Sequence, residues 1–422
     1  MTILDKFILY TALFLPVPVV SAQNEMPDRL SLEDCIHIGL QNNPGFQSSE
    51  ISLKENKTKV DEAHSGFYPA IQAGSGANVY SKNNGEQQYE IYNKGVSASY
   101  TVFSGFRTKA GYEAAKENYS ANVYRHESNK QELTLLITYG YYRTLQAERI
   151  LTSAREAVKN SKLHLEFARA RQQAGIVTLS DVLKAEVELS NAELSRIQSA
   201  NVLLNSKGSL NQLMGLPSNH PLELIDNLSV IGESLPLSYD SLFQEALVSR
   251  TEIKQFQSLL KAQNSFIDVA KAESYPTINV YANYSLEGEE LLDMQRNWGL
   301  GLSFSVPVFK GFSTKARIAG EELAFKRLEK DIEALKQQIT LEVWNAFLAV
   351  EESSEKIETT LKGLESAREN LAIAEGEYKE GIGSIIQLTD AQTTFVSSEQ
   401  QYIRSVADYK IACAELKRTV GK

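Results

Sequence analysis

The sequence predicts a mixed α/β protein in which one structural unit is written twice. Three observations carry that prediction: a repeat at a fixed offset, four alternating segments, and long seams of apolar or small residues with a period of about 3.5. The offset is 206 residues, as from Val102 to Val308. "FYPAIQAGSGANVY" at 67–80 returns as "SYPTINVYANYS" at 274–285, and "VFSGFRTKA" at 102–110 as "VFKGFSTKA" at 308–316. "AGIVTLSDVLKAE" at 174–186 returns as "EGIGSIIQLTDAQ" at 380–392. The first repeat is assigned to 23–215 and the second to 238–422, with a proline-bearing linker at 216–237.

Each half opens on a helical stretch, about 31–65 and 240–273, and continues into a β-hairpin, about 70–103 and 277–309. In the first hairpin Ile71, Ala73, Ala77 and Val79 alternate with Gln72, Gly74, Gly76 and Asn78; Val96, Ala98, Tyr100 and Val102 alternate with Gly95, Ser97, Ser99 and Thr101. The second repeats this with Ile278, Val280, Ala282, Tyr284 and Leu286, then Trp298, Leu300, Leu302, Phe304 and Val306. One apolar face and one face of Gly, Ser, Asn and Thr is the pattern of a membrane β-barrel strand. A half-buried soluble sheet alternates in the same way. Four strands cannot close a barrel within one chain, so either they pack on something else or several chains pool them.

Very long helices follow each hairpin. Leu133, Ile137, Gly140, Thr144, Ala147, Leu151, Ala154, Val158, Ser161, Leu165 and Ala168 step by four and three, and adding 206 to each gives a second seam from Ile339 to Ala374. A period of 3.5 over that length predicts coiled-coil packing, with small residues permitting close approach. Gly175 and Gly381 mark sharp turns into returning helices with seams of their own, Val182, Ala185, Leu189, Ala192 and Leu388, Ala391, Phe395, Ser398. Each half is thus a long helical hairpin standing on a short β-hairpin.

Composition excludes several classes. The net charge of −10 over 422 residues argues against a nucleic-acid partner. Lys6, the apolar stretch 7–20 and Val20-Ser21-Ala22 read as a signal peptide over residues 1–22, so the chain is exported. No later run is apolar enough for a membrane helix. The five histidines are scattered, and no HExxH, Cys/His cluster or Gly-rich phosphate loop occurs. No catalytic residue, metal site or cofactor is therefore expected, and the protein is not read as an enzyme. Cys35 and Cys413 sit in helical patterns, where a small buried hydrophobe is the expected role and a disulfide between them the alternative.

The helix opening "LSLEDCIHIGLQNNP" (31–44), the paired "YP" before a strand, "VPVFKGF" leaving the last strand, "AGIVTLSDVLKAEVELSNA" at the helical tip, and the duplication of the whole unit together resemble the TolC-type outer-membrane efflux protein family. The resemblance implies a homotrimer in the outer membrane with a large periplasmic portion: four strands per chain form a twelve-stranded β-barrel, and the long helices form an α-helical barrel through the periplasm. Pro307 and Gly311 then sit where the chain leaves lipid; Thr101 stands where the family usually has a proline.

The resemblance also places functional residues at the periplasmic tip. Asp390 matches an acidic aperture ring with one copy from each chain, and the family's second ring falls at the uncharged Gln387. Asp181 and Tyr378 match members of an entrance latch whose arginine falls at Gly383. An ordinary solvated carboxylate at Asp390, a helix cap at Asp181 and a packing role for Tyr378 are the competing readings. Adaptor docking is expected around Gly175, Ile176, Leu179, Gly381, Ile382 and Ile385, too apolar for an idle tip. The implied function is a passive exit duct of a tripartite efflux pump or type I secretion system. Its implied partners are a periplasmic adaptor (membrane fusion) protein, an inner-membrane transporter of RND, ABC or MFS type, and outer-membrane lipid. The rival reading is a structural trimeric coiled-coil stalk or adhesin anchor, which the duplication disfavours because a stalk needs only one seam.

Overall fold

The computed structural model describes residues 29–82, 87–228 and 238–422; the expected signal peptide lies outside the described residues. The two halves have the same order of elements. The first contains α1 (Leu32–Asn42), α2 (Pro44–Ser65), β1 (Ala70–Lys82), β2 (Gln87–Phe103), α3 (Arg107–Gln173) and α4 (Leu179–Leu213). The second contains α5 (Tyr239–Ser249), α6 (Thr251–Ala272), β3 (Thr277–Glu290), β4 (Asp293–Ser305), α7 (Ser313–Glu380) and α8 (Ile385–Thr419).

The opening helical stretch of each half is two helices rather than one. Asn43 leaves the helical region at φ −66°, ψ 118°, and its side chain accepts from Phe46 N, capping α2 with Pro44 in its first turn. The second half breaks at Arg250, φ −59°, ψ 128°, without a proline.

The four strands form one antiparallel sheet in the order β1-β2-β3-β4. Its register aligns the alternating residues in rows, which is what places all the apolar side chains on one face. Ala73 pairs with Val96, Val96 with Tyr284 and Tyr284 with Trp298; one step along, Ile71, Ala98, Ala282 and Leu300 form the next row. The opposite face carries Gln72, Ser97, Asn283 and Gly299 in one row. The apolar face has no cover within the chain: Trp298, Leu300, Leu302 and Phe304 are 64–80% exposed. Where the family pattern has a proline, the first hairpin has a register shift between Thr101 and Phe103, and Thr101 Oγ1 donates to Asn279 Oδ1 at 2.8 Å. A bulge therefore bends that rim.

Helices α3 and α7 have 67 and 68 residues, roughly 100 Å each at 1.5 Å per residue. Every predicted seam position on α3 is buried, and so is every one on α7 except Thr360, which is half-buried and shares a 2.9 Å hydrogen bond with Ser405 of α8. Whole-helix amphipathicity does not explain this, because a seam of period 3.5 averages out over so many turns of 3.6.

Two cores result. The larger lies where the short helices wrap the long ones and includes Cys35, Ile137, Tyr141, Leu210, Ile339, Val343 and Leu416. Leu222, Leu224 and Leu228 join it, and Leu224 bridges Leu30 in parallel, so residues 216–228 of the expected linker run against the core. At its margin Arg250, 3% exposed, pairs with Glu252 at 2.7 Å and with Glu342, while Arg418 reaches Glu132, Glu252 and Glu342. The smaller core closes the tip, from Leu165 and Ala168 through Val182 and Leu371 to Tyr378 and Leu388. Leu183, Val187, Leu194 and Ile197 of α4 and Leu341, Trp344 and Leu348 of α7 remain exposed, as do the outer strands β1 and β4 at the sheet edges.

Candidate functional site

The tip is built from two helical hairpins brought side by side. Gly175 (φ 73°) and Gly381 (φ 80°) take the left-handed conformation that ends α3 and α7, an arrangement glycine adopts without a Cβ penalty. Each returning helix then starts with a capping box. Thr178 and Asp181 form the first: the Thr178 amide and hydroxyl donate to Asp181 Oδ2 at 3.1 and 2.9 Å. Ser384 and Gln387 form the second, with the Ser384 amide donating to Gln387 Oε1 at 2.9 Å and the Gln387 amide to Ser384 Oγ at 3.2 Å. Asp181 is therefore engaged in starting its own helix, at N3 rather than as the N-cap itself.

Asp390 is exposed on α8, one turn beyond Gln387. It faces Glu188 of α4, whose carboxyl is pushed up first by burial and then by the charge of Asp390. Glu188 was not singled out from sequence, since a glutamate on a charged helix carries no local mark of its cross-helix neighbour.

Tyr378 is 3% exposed inside the tip core, and burial raises its hydroxyl above the ordinary tyrosine value; Arg171 opposes and Asp181 reinforces that shift. Its hydroxyl has no hydrogen-bond partner among the described residues. It lines a crevice of about 200 Å³ between α3, α7 and α8 with His164, Phe167 and Leu388. Gly383 stands at the place of the expected arginine, and a side chain there is a tight fit: a Cβ would lie 3.0 Å from Glu377 Cβ and from the Tyr378 amide nitrogen, which would have to give by a few tenths of an ångström.

The docking residues divide. Ile176, Leu179 and Ile382 are 63–81% exposed, but Ile385 is 3% exposed and belongs to the tip core. The expectation of an exposed Ile385 is thus corrected: the helix begins one residue out of phase with that reading, and its neighbour Ile386 is the exposed one, at 49%.

The model of the outer membrane efflux protein family matches residues 35–216 and again 242–422. The chain belongs to that family. Among its relatives, Protein CyaE of Bordetella pertussis is 22% identical over 401 residues, covering 94% of this chain and 85% of its own. The probable efflux pump outer membrane protein TtgC of Pseudomonas putida is 24% identical over 398 residues, covering 88% and 79%. The Campylobacter jejuni CmeC outer membrane channel has the same fold, with a TM-score of 0.84 at 15% identity over 92% of this chain and 85% of that one.

Membership accounts for the open surfaces. The chain is one protomer of a trimeric outer-membrane channel: three sheets of four strands close a barrel that leaves no strand edge unpaired, and the long helices continue it as a periplasmic tunnel.

Proposed function

We propose that the trimer is a passive exit duct, carrying small molecules or unfolded polypeptide from an inner-membrane transporter of RND, ABC or MFS type, through a periplasmic adaptor protein, to the outside. Energy and most substrate selection belong to those partners. The observation that carries this reading is the continuity of a sheet with an uncovered apolar face and open edges into helices of roughly 100 Å packed along unbroken seams. That is the geometry of a conduit crossing one membrane and a periplasmic space, and TtgC is named as part of an efflux pump.

Within the duct, Asp390 lines the aperture at the helical tips, where one carboxylate per chain draws cations to the entrance. Gln387 adds no charge there. Tyr378, with the charge of Asp181 nearby and the Gly383 turn beside it, stands at the contact between hairpins that keeps the entrance narrow. Ile176, Leu179 and Ile382 offer the adaptor its apolar footing beside Gly175 and Gly381.

Planar-bilayer conductance of the purified trimer tests the reading. Discrete cation-preferring openings, blocked by divalent or trivalent cations in the wild type and not in Asp390→Ala, are the expected result. A folded trimer in which neither the wild type nor tip variants conduct would instead favour a structural stalk.

A further inference from the structure

Arg171 projects from the last turn of α3 onto the last turn of α7. Its Nη1 donates to the Tyr378 carbonyl oxygen at 2.6 Å, and its guanidinium carbon lies 5.2 Å from the centre of the Tyr378 ring and 5.7 Å from that of Phe167. The two rings are themselves in contact, 6.2 Å apart at 52°. Three favourable terms therefore meet in one side chain. A cation caps a carbonyl at the negative end of a 68-residue helix; the hydrogen bond is charge-assisted; and the guanidinium faces two aromatic rings in a half-buried setting.

The backbone opposite is shaped to receive it. A Cβ on Gly381 would lie 2.7 Å from Arg171 Nη2, so the guanidinium occupies the space a side chain at 381 would need. The adjoining turn is drawn onto α7 by Ile382 and Gly383 amides, which donate to the Glu377 carbonyl at 3.1 and 3.0 Å. That same closeness makes a side chain at 383 a tight fit. The turn of the second hairpin, Gly381-Ile382-Gly383, carries no cation, and the first hairpin furnishes it.

We infer that Arg171 is the positioning residue that clasps the α3/α4 hairpin to the α7/α8 hairpin and sets the resting width of the entrance. The inference deepens the duct reading and rests on it for its consequence, but not for its geometry. Opening the tip by parting the two hairpins requires the Arg171–Tyr378 bond to break in every chain.

The test reads distance and conductance separately. Spin labels at the exposed positions Gln173→Cys and Glu380→Cys, in a Cys413→Ser background and in trimers diluted with unlabelled chains, report the α3–α7 separation. Arg171→Gln is expected to shift the population toward longer, broader distances by roughly tenfold or more, the scale of one charge-assisted hydrogen bond. Arg171→Lys, which keeps the charge and one donor, restores part of it. Gly381→Ala crowds only the far end of the flexible Arg171 side chain and is expected to lengthen the distances less than Arg171→Gln, whereas Gly175→Ala bears the same left-handed strain with nothing within 4 Å. Unchanged distances in Arg171→Gln would overturn the clasp. Lengthened distances without any rise in open-channel conductance would leave the clasp standing and overturn the duct.

Discussion

Phe106 and Phe312 adopt the same left-handed backbone, φ 67° and 64°, at equivalent places in the two halves, 312 − 106 = 206 residues apart. Each follows a glycine that is also left-handed, Gly105 at φ 66° and Gly311 at φ 57°, and each starts a long helix directly afterwards. Phe106 packs edge-on against Phe103 and Phe312 against Phe309. A bulky residue in this conformation is strained by about 1–2 kcal/mol, so the turn from strand to helix is held against a cost in both copies.

The two glycines of that turn differ in their surroundings, and alanine separates strain from crowding. At Gly311 a Cβ meets nothing within 4 Å, whereas at Gly105 it would lie 2.6 Å from Tyr275 Cβ and 2.8 Å from the Ala272 carbonyl oxygen. Gly311→Ala is expected to cost about 1–2 kcal/mol and leave the trimer intact. Gly105→Ala also displaces the end of α6 and is expected to abolish the trimer. Thermal dissociation of trimers followed by gel mobility decides between them.

Arg250 holds two carboxylates while almost fully buried. Burial raises the Glu252 carboxyl, but the hydrogen bonds and charge of Arg250, a backbone hydrogen bond and the charge of Arg418 together outweigh it and leave the group below its ordinary 4.5. A carboxyl lowered in the folded state stabilises it above that ordinary value and ceases to do so as pH falls through the folded one. Stability is therefore expected to decline on acidification below about 4.5. Arg250→Met is expected to destabilise by about 3–5 kcal/mol at neutral pH, because Glu252 and Glu342 lose their buried partner, and to flatten the acid decline. Chemical denaturation at pH 7 and pH 4 measures both.

The lipid-facing row gives a third prediction. Leu300 is 72% exposed and pairs with Ala282 near the middle of its ladder. Leu300→Arg is expected to cost about 2–4 kcal/mol of barrel stability, and the same change at Val306, beyond the end of β4, about 0–1. Urea-dependent folding into vesicles checks the difference.

How much of this was legible in sequence depended on whether the signal was local. The sheet rows and both long seams follow from side-chain period alone, because a fixed period over many residues leaves few alternatives. The duplication fixed the pairing of halves. The break at Asn43 had a local cause in Pro44, yet the break at Arg250 has none, since its extended backbone is held by ion pairs to Glu252 and Glu342. At the tip, the turn at Gly381 was readable from its glycine, but Arg171 meets Tyr378 across two hairpins and 207 positions of sequence, 378 − 171. An arginine one turn after Phe167 and near a helix end was the only available hint. Ile385 and Ile386 could not be told apart without knowing which residue opens α8.

The duplication has a consequence at the tip. The left-handed glycines correspond at the common offset, Gly175 with Gly381 and Gly215 with Gly421, and both capping boxes recur, Thr178–Asp181 with Ser384–Gln387. The charged and aromatic positions do not: Arg171 corresponds to Glu377, Gln172 to Tyr378, Asp181 to Gln387 and Lys184 to Asp390. Three chains thus present a rim that is sixfold in backbone and threefold in charge. A partner that fits shape finds six near-equivalent seats around it, and one that reads electrostatics finds three.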